Sequence, residues 1–247
     1  MPPVVRELIN KTALVTGASS GIGRAIAVRL GELGADVFLV ARRSDRLEAV
    51  ANEIRAHEAR AYVQPADLTR DAELQHVVSQ IEEQGNGLDI LVLSSGTICH
   101  GSLEHSSVTD LDLQFRSNVR APYALVQALL PLLQAARGQV VCINSSAGLK
   151  PPAPGAGQYA LTQYAFRAFT DALREEVNPA GIRVVSIYPG RTATSRTEQL
   201  FEKEGKPYRP ELLMQPEDVA TMVGHVLTLP RTAEVTDISM RPMLKSY

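Results

Sequence analysis

Tyr159 and Gln163 stand four residues apart in the stretch Gln158-Tyr159-Ala160-Leu161-Thr162-Gln163. If that stretch is helical, both side chains share one face. A short way upstream an apolar run ends in Asn144-Ser145-Ser146-Ala147-Gly148. A serine hydroxyl and a phenol brought together can pass a proton to or from an alcohol or carbonyl oxygen. A free phenol has a pKa of about 10, so at neutral pH it is a poor base. A cation beside it would favour the phenolate, but the residue one turn on is a neutral glutamine.

The remaining chain must position this pair. Short apolar segments at 12–16, 36–40, 60–64, 88–93, 139–143, 182–187 and 234–240 read as strands. Helical segments separate them: one after Gly23 to about Leu33, 44–57, 71–84, 108–136, one holding Tyr159 to about Val177, and 216–227. Pro122 and Pro131 are expected to kink or divide the long fourth one. Strands alternating with helices imply an α/β fold, a Rossmann-like doubly wound parallel sheet with helices on both faces. The chain reads as one domain over 1–247. Residues 191–215 are polar with interspersed Leu200, Phe201 and Tyr208, and read as a mobile insertion.

Composition narrows the classes. The 247 residues are 45% hydrophobic and 21% charged, with a formal net charge of −2. Such a charge points to neither nucleic acid nor an anionic membrane as partner. Cys99 and Cys142 are far apart and in no metal-ligand spacing, so no metal site is expected and a reduced, cytoplasmic setting is the simplest reading. No apolar run approaches the length of a membrane span.

The unusual residues gather in the strand-to-helix loops, where such folds bind ligands. Gly17, Gly21 and Gly23 follow the first strand and open a helix, the context of a dinucleotide-binding loop. Arg42 and Arg43 end the second strand, where the adenosine ribose would rest. Arginine there suits a 2′-phosphate through charge-assisted hydrogen bonds, and Ser19 could add a donor, so NADP(H) is expected over NAD(H).

Thr16-Gly17-Ala18-Ser19-Ser20-Gly21-Ile22-Gly23, Asn118, Ser146, Tyr159 and Pro189-Gly190 together resemble the short-chain dehydrogenase/reductase family over nearly the whole chain. The resemblance implies a seven-stranded parallel sheet and hydride transfer between a nicotinamide and an alcohol or carbonyl carbon of a small molecule. It makes Tyr159 the proton donor in reduction and Ser146 the partner of the substrate oxygen, with Asn118 supporting the active-site lysine and a water chain. It puts Asp67 and Leu68 beside the adenine, Ser95 and Gly96 along the ribose, and Pro189, Gly190, Thr192 and Thr194 at the nicotinamide. It also implies that 191–215 is a substrate lid and that the chain is a homodimer or homotetramer built on the 108–136 helix and the Tyr159 helix. Two positions depart from the pattern. Leu93-Ser94-Ser95-Gly96 stands where the family has Asn-Asn-Ala-Gly, and Gln163 stands where it has lysine. The expectation is an NADP(H)-dependent oxidoreductase weakened by the lost lysine. The alternative is a catalytically inactive dinucleotide-binding protein, a sensor or an assembly subunit.

Overall fold

Thr12–Thr16 is buried along its whole length, as is Ile90–Leu93. Strands without a solvent face belong in the middle of a sheet covered on both sides. The computed structural model describes residues 6–84, 87–150 and 154–244. It forms one parallel sheet from β1 (Thr12–Thr16), β2 (Asp36–Ala41), β3 (Ala61–Pro65), β4 (Ile90–Leu93), β5 (Gln139–Ile143), β6 (Arg183–Pro189) and β7 (Asp237–Met240). The order is β3-β2-β1-β4-β5-β6-β7. The chain winds outward from β1 to β3, returns to the other side of β1, and winds outward again to β7. That reversal opens a crevice above the carboxyl ends of β1 and β4.

Alternate residues of each strand feed opposite cores. Ala13, Val15, Val37, Leu39, Ile90 and Val92 face one; there they meet α1 (Gly21–Glu32), α2 (Ser44–Arg55) and a helix near the C-terminus, Pro216–Leu227. Leu14, Phe38, Val40, Leu91 and Leu93 face the other, against α3 (Asp71–Glu83), α5 (Ala121–Ala136) and α6 (Gly157–Val177). Burying each of the valine, leucine, isoleucine and phenylalanine side chains contributes roughly 1.5–3 kcal/mol, so the two cores together fix the sheet that carries the loops. Shorter α4 (Val108–Phe115) and α7 (Ser195–Lys203) lie between, and Pro216–Leu227 is α8.

Three expectations are corrected. The fourth strand starts at Ile90 rather than 88, and the carboxylate of Asp89 accepts from Lys11 Nζ (2.8 Å) and the Thr12 N–H (3.0 Å). The seventh starts at Asp237 rather than 234, because Glu234 spends its side chain on the Val184 N–H (2.9 Å), doing from outside what a strand residue would do. The long helical region divides at neither proline. It divides at a π-helical turn, Arg116–Arg120, with Pro122 in the first turn of α5 and Pro131 inside that helix. Pro122 has no N–H to offer the carbonyl four residues back, that of Asn118, which loosens the α pattern just before it.

The segment 191–215, expected as a mobile insertion, holds regular structure. It contains α7 and a 3₁₀ turn at Pro210–Leu212. Its two ends are tied by the bond from the Ala193 N–H to the Met214 carbonyl, 2.7 Å. Arg191 salt-bridges Glu204 at 2.8 Å and stacks on the Phe201 ring, 4.6 Å from its centroid.

Candidate active site

The glycine loop closes on itself and on the loop after β4. Gly17 has φ +68°, a conformation that favours glycine, and a Cβ there would lie 2.9 Å from the Ser94 carbonyl oxygen. A Cβ on Gly23 would collide with the Gly17 carbonyl oxygen. Thr16 joins the two loops, its Oγ1 accepting the N–H groups of Ser94 (2.9 Å) and Ser95 (3.1 Å). These are the serines that replace asparagines, and their backbone is braced from β1. Ser20 caps α1 without a side-chain bond, so the first-turn N–H groups of Gly21, Ile22 and Gly23 face the crevice end with no capping side chain; Ser19 sits half-buried just before. Gly23→Ala is expected to cost about 1–3 kcal/mol, because the added methyl must push the Gly17 carbonyl away. Urea unfolding reads this directly, and a midpoint equal to the parent's would refute the tight fit.

Past β2, Arg42 and Arg43 are exposed, and Arg43 is the residue before α2. Asp67 lies within the field of Arg42. Its burial would raise its carboxyl, but hydrogen bonds from the Thr69 side chain and backbone, with the charges of Arg42 and Arg70, hold it below the usual carboxylate range. Leu68 is buried in the core beneath α3.

Asn118 is nearly inaccessible and lies in the π-helical turn. Its Nδ2 donates to the Thr97 carbonyl (2.8 Å) and to Thr162 Oγ1 (3.0 Å), and its Oδ1 accepts the Thr97 N–H (2.7 Å). It therefore ties the β4 loop to α6, where Thr162 sits between Tyr159 and Gln163. Gly96 packs against it, since a Cβ on Gly96 would lie 3.1 Å from Asn118 Oδ1.

Tyr159 is in the first turn of α6 and half-buried. Burial pushes its phenol above the ordinary tyrosine value; a hydrogen bond with the Ser145 side chain and the positive charge of Arg196 pull the other way without overcoming it. The serine whose side chain acts on the phenol is Ser145, the neighbour of the expected Ser146. The reason is local backbone. Ser145 is still extended (φ −150°, ψ 150°) and accepts the Ala147 N–H on its own Oγ (3.1 Å), leaving its O–H to donate. Ser146 has already entered the 3₁₀ turn Ser146–Gly148. Gln163 follows one turn after Tyr159, 5% exposed. The charge acting on the phenol comes from Arg196, which the sequence reading did not single out.

Thr192 is buried, and its Oγ1 donates to the Gly190 carbonyl (3.2 Å) at the end of β6, where Pro189 pairs with Met240. Thr194 caps α7 by accepting the Thr197 N–H (3.2 Å), while its methyl would touch a Cβ on Gly21 (3.1 Å). The 191–215 segment therefore meets the glycine loop. His100 reaches the same segment. Burial lowers its pKa, against the pull of Glu204 and the Gly155 backbone, so the neutral form is favoured at pH 7. Cys99 is held by its own N–H on Gln114 Oε1 (3.0 Å), and burial raises its thiol. Tyr159, Ser145, Asn118, Gly96, Gly17, Gly21 and Thr194 thus form one connected wall. Arg42, Arg43 and Asp67 lie at its outer end, beyond β2 and β3.

Residues 11–205 match the family model described as short chain dehydrogenase. The chain belongs to that family. An uncharacterized oxidoreductase of Staphylococcus aureus (strain MRSA252) is 31% identical over 237 residues, covering 96% of this chain and 99% of that one. Among solved structures, a metagenomic short-chain oxidoreductase in complex with NADP is 30% identical, with a TM-score of 0.83 and 97% and 100% of the two chains covered. An alcohol dehydrogenase from Thermococcus sibiricus, complexed with 5-hydroxy-NADP, is 26% identical with a TM-score of 0.85, covering 96% and 98%. The seven-stranded parallel sheet is common ground with these structural relatives.

Proposed function

We propose that this short-chain dehydrogenase is an oxidoreductase that moves hydride between NADP(H) and the carbonyl or alcohol carbon of a small molecule. One observation carries the reading: Tyr159, in the first turn of α6, is tied through Thr162 and Asn118 to the β4 loop that packs on the glycine loop, and the Ser145 side chain acts on its phenol. In carbonyl reduction Ser145 holds the substrate oxygen and Tyr159 gives it a proton; the raised phenol is protonated at neutral pH and suited to that direction. Asn118 keeps the β4 loop and α6 in register for this step.

The residues fit the dinucleotide. The α1 N–H groups suit a pyrophosphate that approaches where no side chain could, and two arginines past β2 suit a 2′-phosphate. Leu68 and the Asp67 backbone would flank the adenine, Ser95 and Gly96 the ribose, and Pro189, Gly190, Thr192 and Thr194 the nicotinamide end. When bound, the cofactor gives or takes the hydride. Several structural relatives were solved in complex with NADP or 5-hydroxy-NADP, which supports the same choice here.

Titration with NADPH and NADH, followed by a panel of carbonyl compounds, tests the reading. Arg42→Asp is expected to shift the NADPH-to-NADH affinity ratio by roughly tenfold toward NADH, a modest effect because the guanidinium is exposed. An unchanged ratio would remove the 2′-phosphate role. Gln163 favours a second reading, a dinucleotide-binding protein without catalysis. NADPH binding with no turnover of any carbonyl in the panel would favour it. Exposed Tyr123, Leu161 and Tyr164 on α5 and α6 support a homodimer or homotetramer built on those helices, which sedimentation would read.

A further inference from the structure

Tyr159 lacks a cation one turn along its own helix, and the arginines farther along α6, Arg167 and Arg174, pair with Asp171. Gln163 is neutral and buried, and the Asn118 amide is fully used on Thr97 and Thr162. A positive charge arrives instead from the 191–215 segment. Thr194 fixes the start of α7, and the tie between Ala193 and Met214 holds the base of that segment. Arg196, in the first turn of α7, reaches across to the loop after β4, where its Nη2 donates to the Gly96 carbonyl at 2.6 Å. Gly96 rests on Asn118, Asn118 bonds Thr162, and Thr162 donates to the Tyr159 carbonyl at 2.8 Å. The guanidinium is thereby seated on the structure that holds the phenol.

Two features set Arg196 apart from its neighbours. Arg191 and Lys206 both spend their charge on Glu204. Arg196 is bonded to a neutral carbonyl, and among the described residues it forms no ion pair, so its charge is not cancelled locally. It also sits in the first turn of a helix, where the macrodipole disfavours a cation. A residue that breaks a local rule without a compensating charge is expected where function has claimed it.

We propose that Arg196 is the positioning residue that supplies, from α7, the positive charge which Gln163 withholds from the Tyr159 phenol. This rests on the reading of Tyr159 as the proton-transfer group. The electrostatics agree in direction: burial raises the phenol, and the Ser145 hydrogen bond and Arg196 lower it. Other charged groups near the site face elsewhere. His100 is surrounded by Glu204, Lys203 and Arg191, and Cys99 faces Asp110 and Lys203. Because the charge rides on α7, the phenol's ionisation becomes tied to the seating of the 191–215 segment, which a lysine on α6 would not do.

Ultraviolet titration of tyrosinate in the full chain tests this without any substrate. The difference between the parent and Tyr159→Phe isolates the Tyr159 transition; the same difference is taken in each Arg196 background. Arg196→Gln is expected to raise the Tyr159 midpoint by about one unit, the exposure of the guanidinium limiting the effect. Arg196→Lys should restore most of the shift, and adding Gln163→Lys to Arg196→Gln should restore it too. A midpoint unmoved by Arg196→Gln overturns the proposal. So does an equal shift in Arg196→Lys, which would mean geometry rather than charge, or a parent with no Tyr159 transition before it unfolds. Turnover that survives Tyr159→Phe would instead sink the catalytic reading and leave the titration result standing.

Discussion

Carbonyl reduction by Tyr159→Phe is expected to fall by at least about a thousandfold, and by Ser145→Ala about a hundredfold, with Ser146→Ala within a factor of about three of the parent. The first change removes the proton that the substrate oxygen must receive. The second removes the hydroxyl that holds this oxygen beside the phenol. Each acts on an interaction that strengthens as charge develops on oxygen, so the loss should fall on kcat more than on KM. Neither side chain belongs to the glycine loop, so NADPH affinity should stay close to the parent's in all three variants. The serine comparison is the sharper half. It sets Ser145, whose side chain acts on the phenol, against Ser146, which begins the 3₁₀ turn. Rates lost in Ser146→Ala and kept in Ser145→Ala would show that the substrate oxygen is held from the turn.

That serine marks how far the sequence could be read. The sheet was legible because its central strands are buried on both faces, so apolar runs of strand length stand out between helices. Their ends were less so, since Asp89 and Glu234 bond backbone groups from outside the strands and no periodicity records that. The choice between adjacent serines depends on the residue at which an extended chain turns into a 3₁₀ helix, a difference of one position. The available signal was the Ala147-Gly148 pair just downstream, which marks where the turn packs: a Cβ on Gly148 would meet the Gln163 carbonyl oxygen at 3.0 Å. The division of the long helix at Asn118 was half-visible in Pro122, whose missing N–H acts on the residue four earlier rather than on itself. Arg196 had no local signal. It meets Gly96 across a hundred residues of chain, and the polar character of its segment gave no reason to seat it anywhere.

Gln163→Lys is expected to raise alcohol oxidation by roughly a hundredfold near neutral pH while changing carbonyl reduction by no more than a few fold. An ammonium about 4–5 Å from the phenol would favour the phenolate by roughly 3–4 kcal/mol at an effective dielectric near 20, or two to three units of pKa. Oxidation needs Tyr159 without its proton, and burial now keeps that form scarce. The oxidation rate of the parent should therefore still be climbing with pH at the alkaline end of its profile. In the lysine variant the same climb should finish at lower pH. Reduction uses the protonated phenol, already the dominant form, so lowering the pKa gives it little and trims it on the alkaline side. The amide of Gln163 both donates and accepts, so it can keep a hydrogen bond that lysine would make, and charge alone separates the two side chains. The site is 5% exposed, which sets an opposing cost, because an ammonium there must be desolvated. Arg196 bears on the same number. If its charge already reaches the phenol, the gain from lysine should be smaller in the parent than in Arg196→Gln, and the difference measures how much of the missing charge α7 supplies. Equal forward and reverse rates in the parent and Gln163→Lys would show that the phenol's ionisation does not limit this enzyme in either direction.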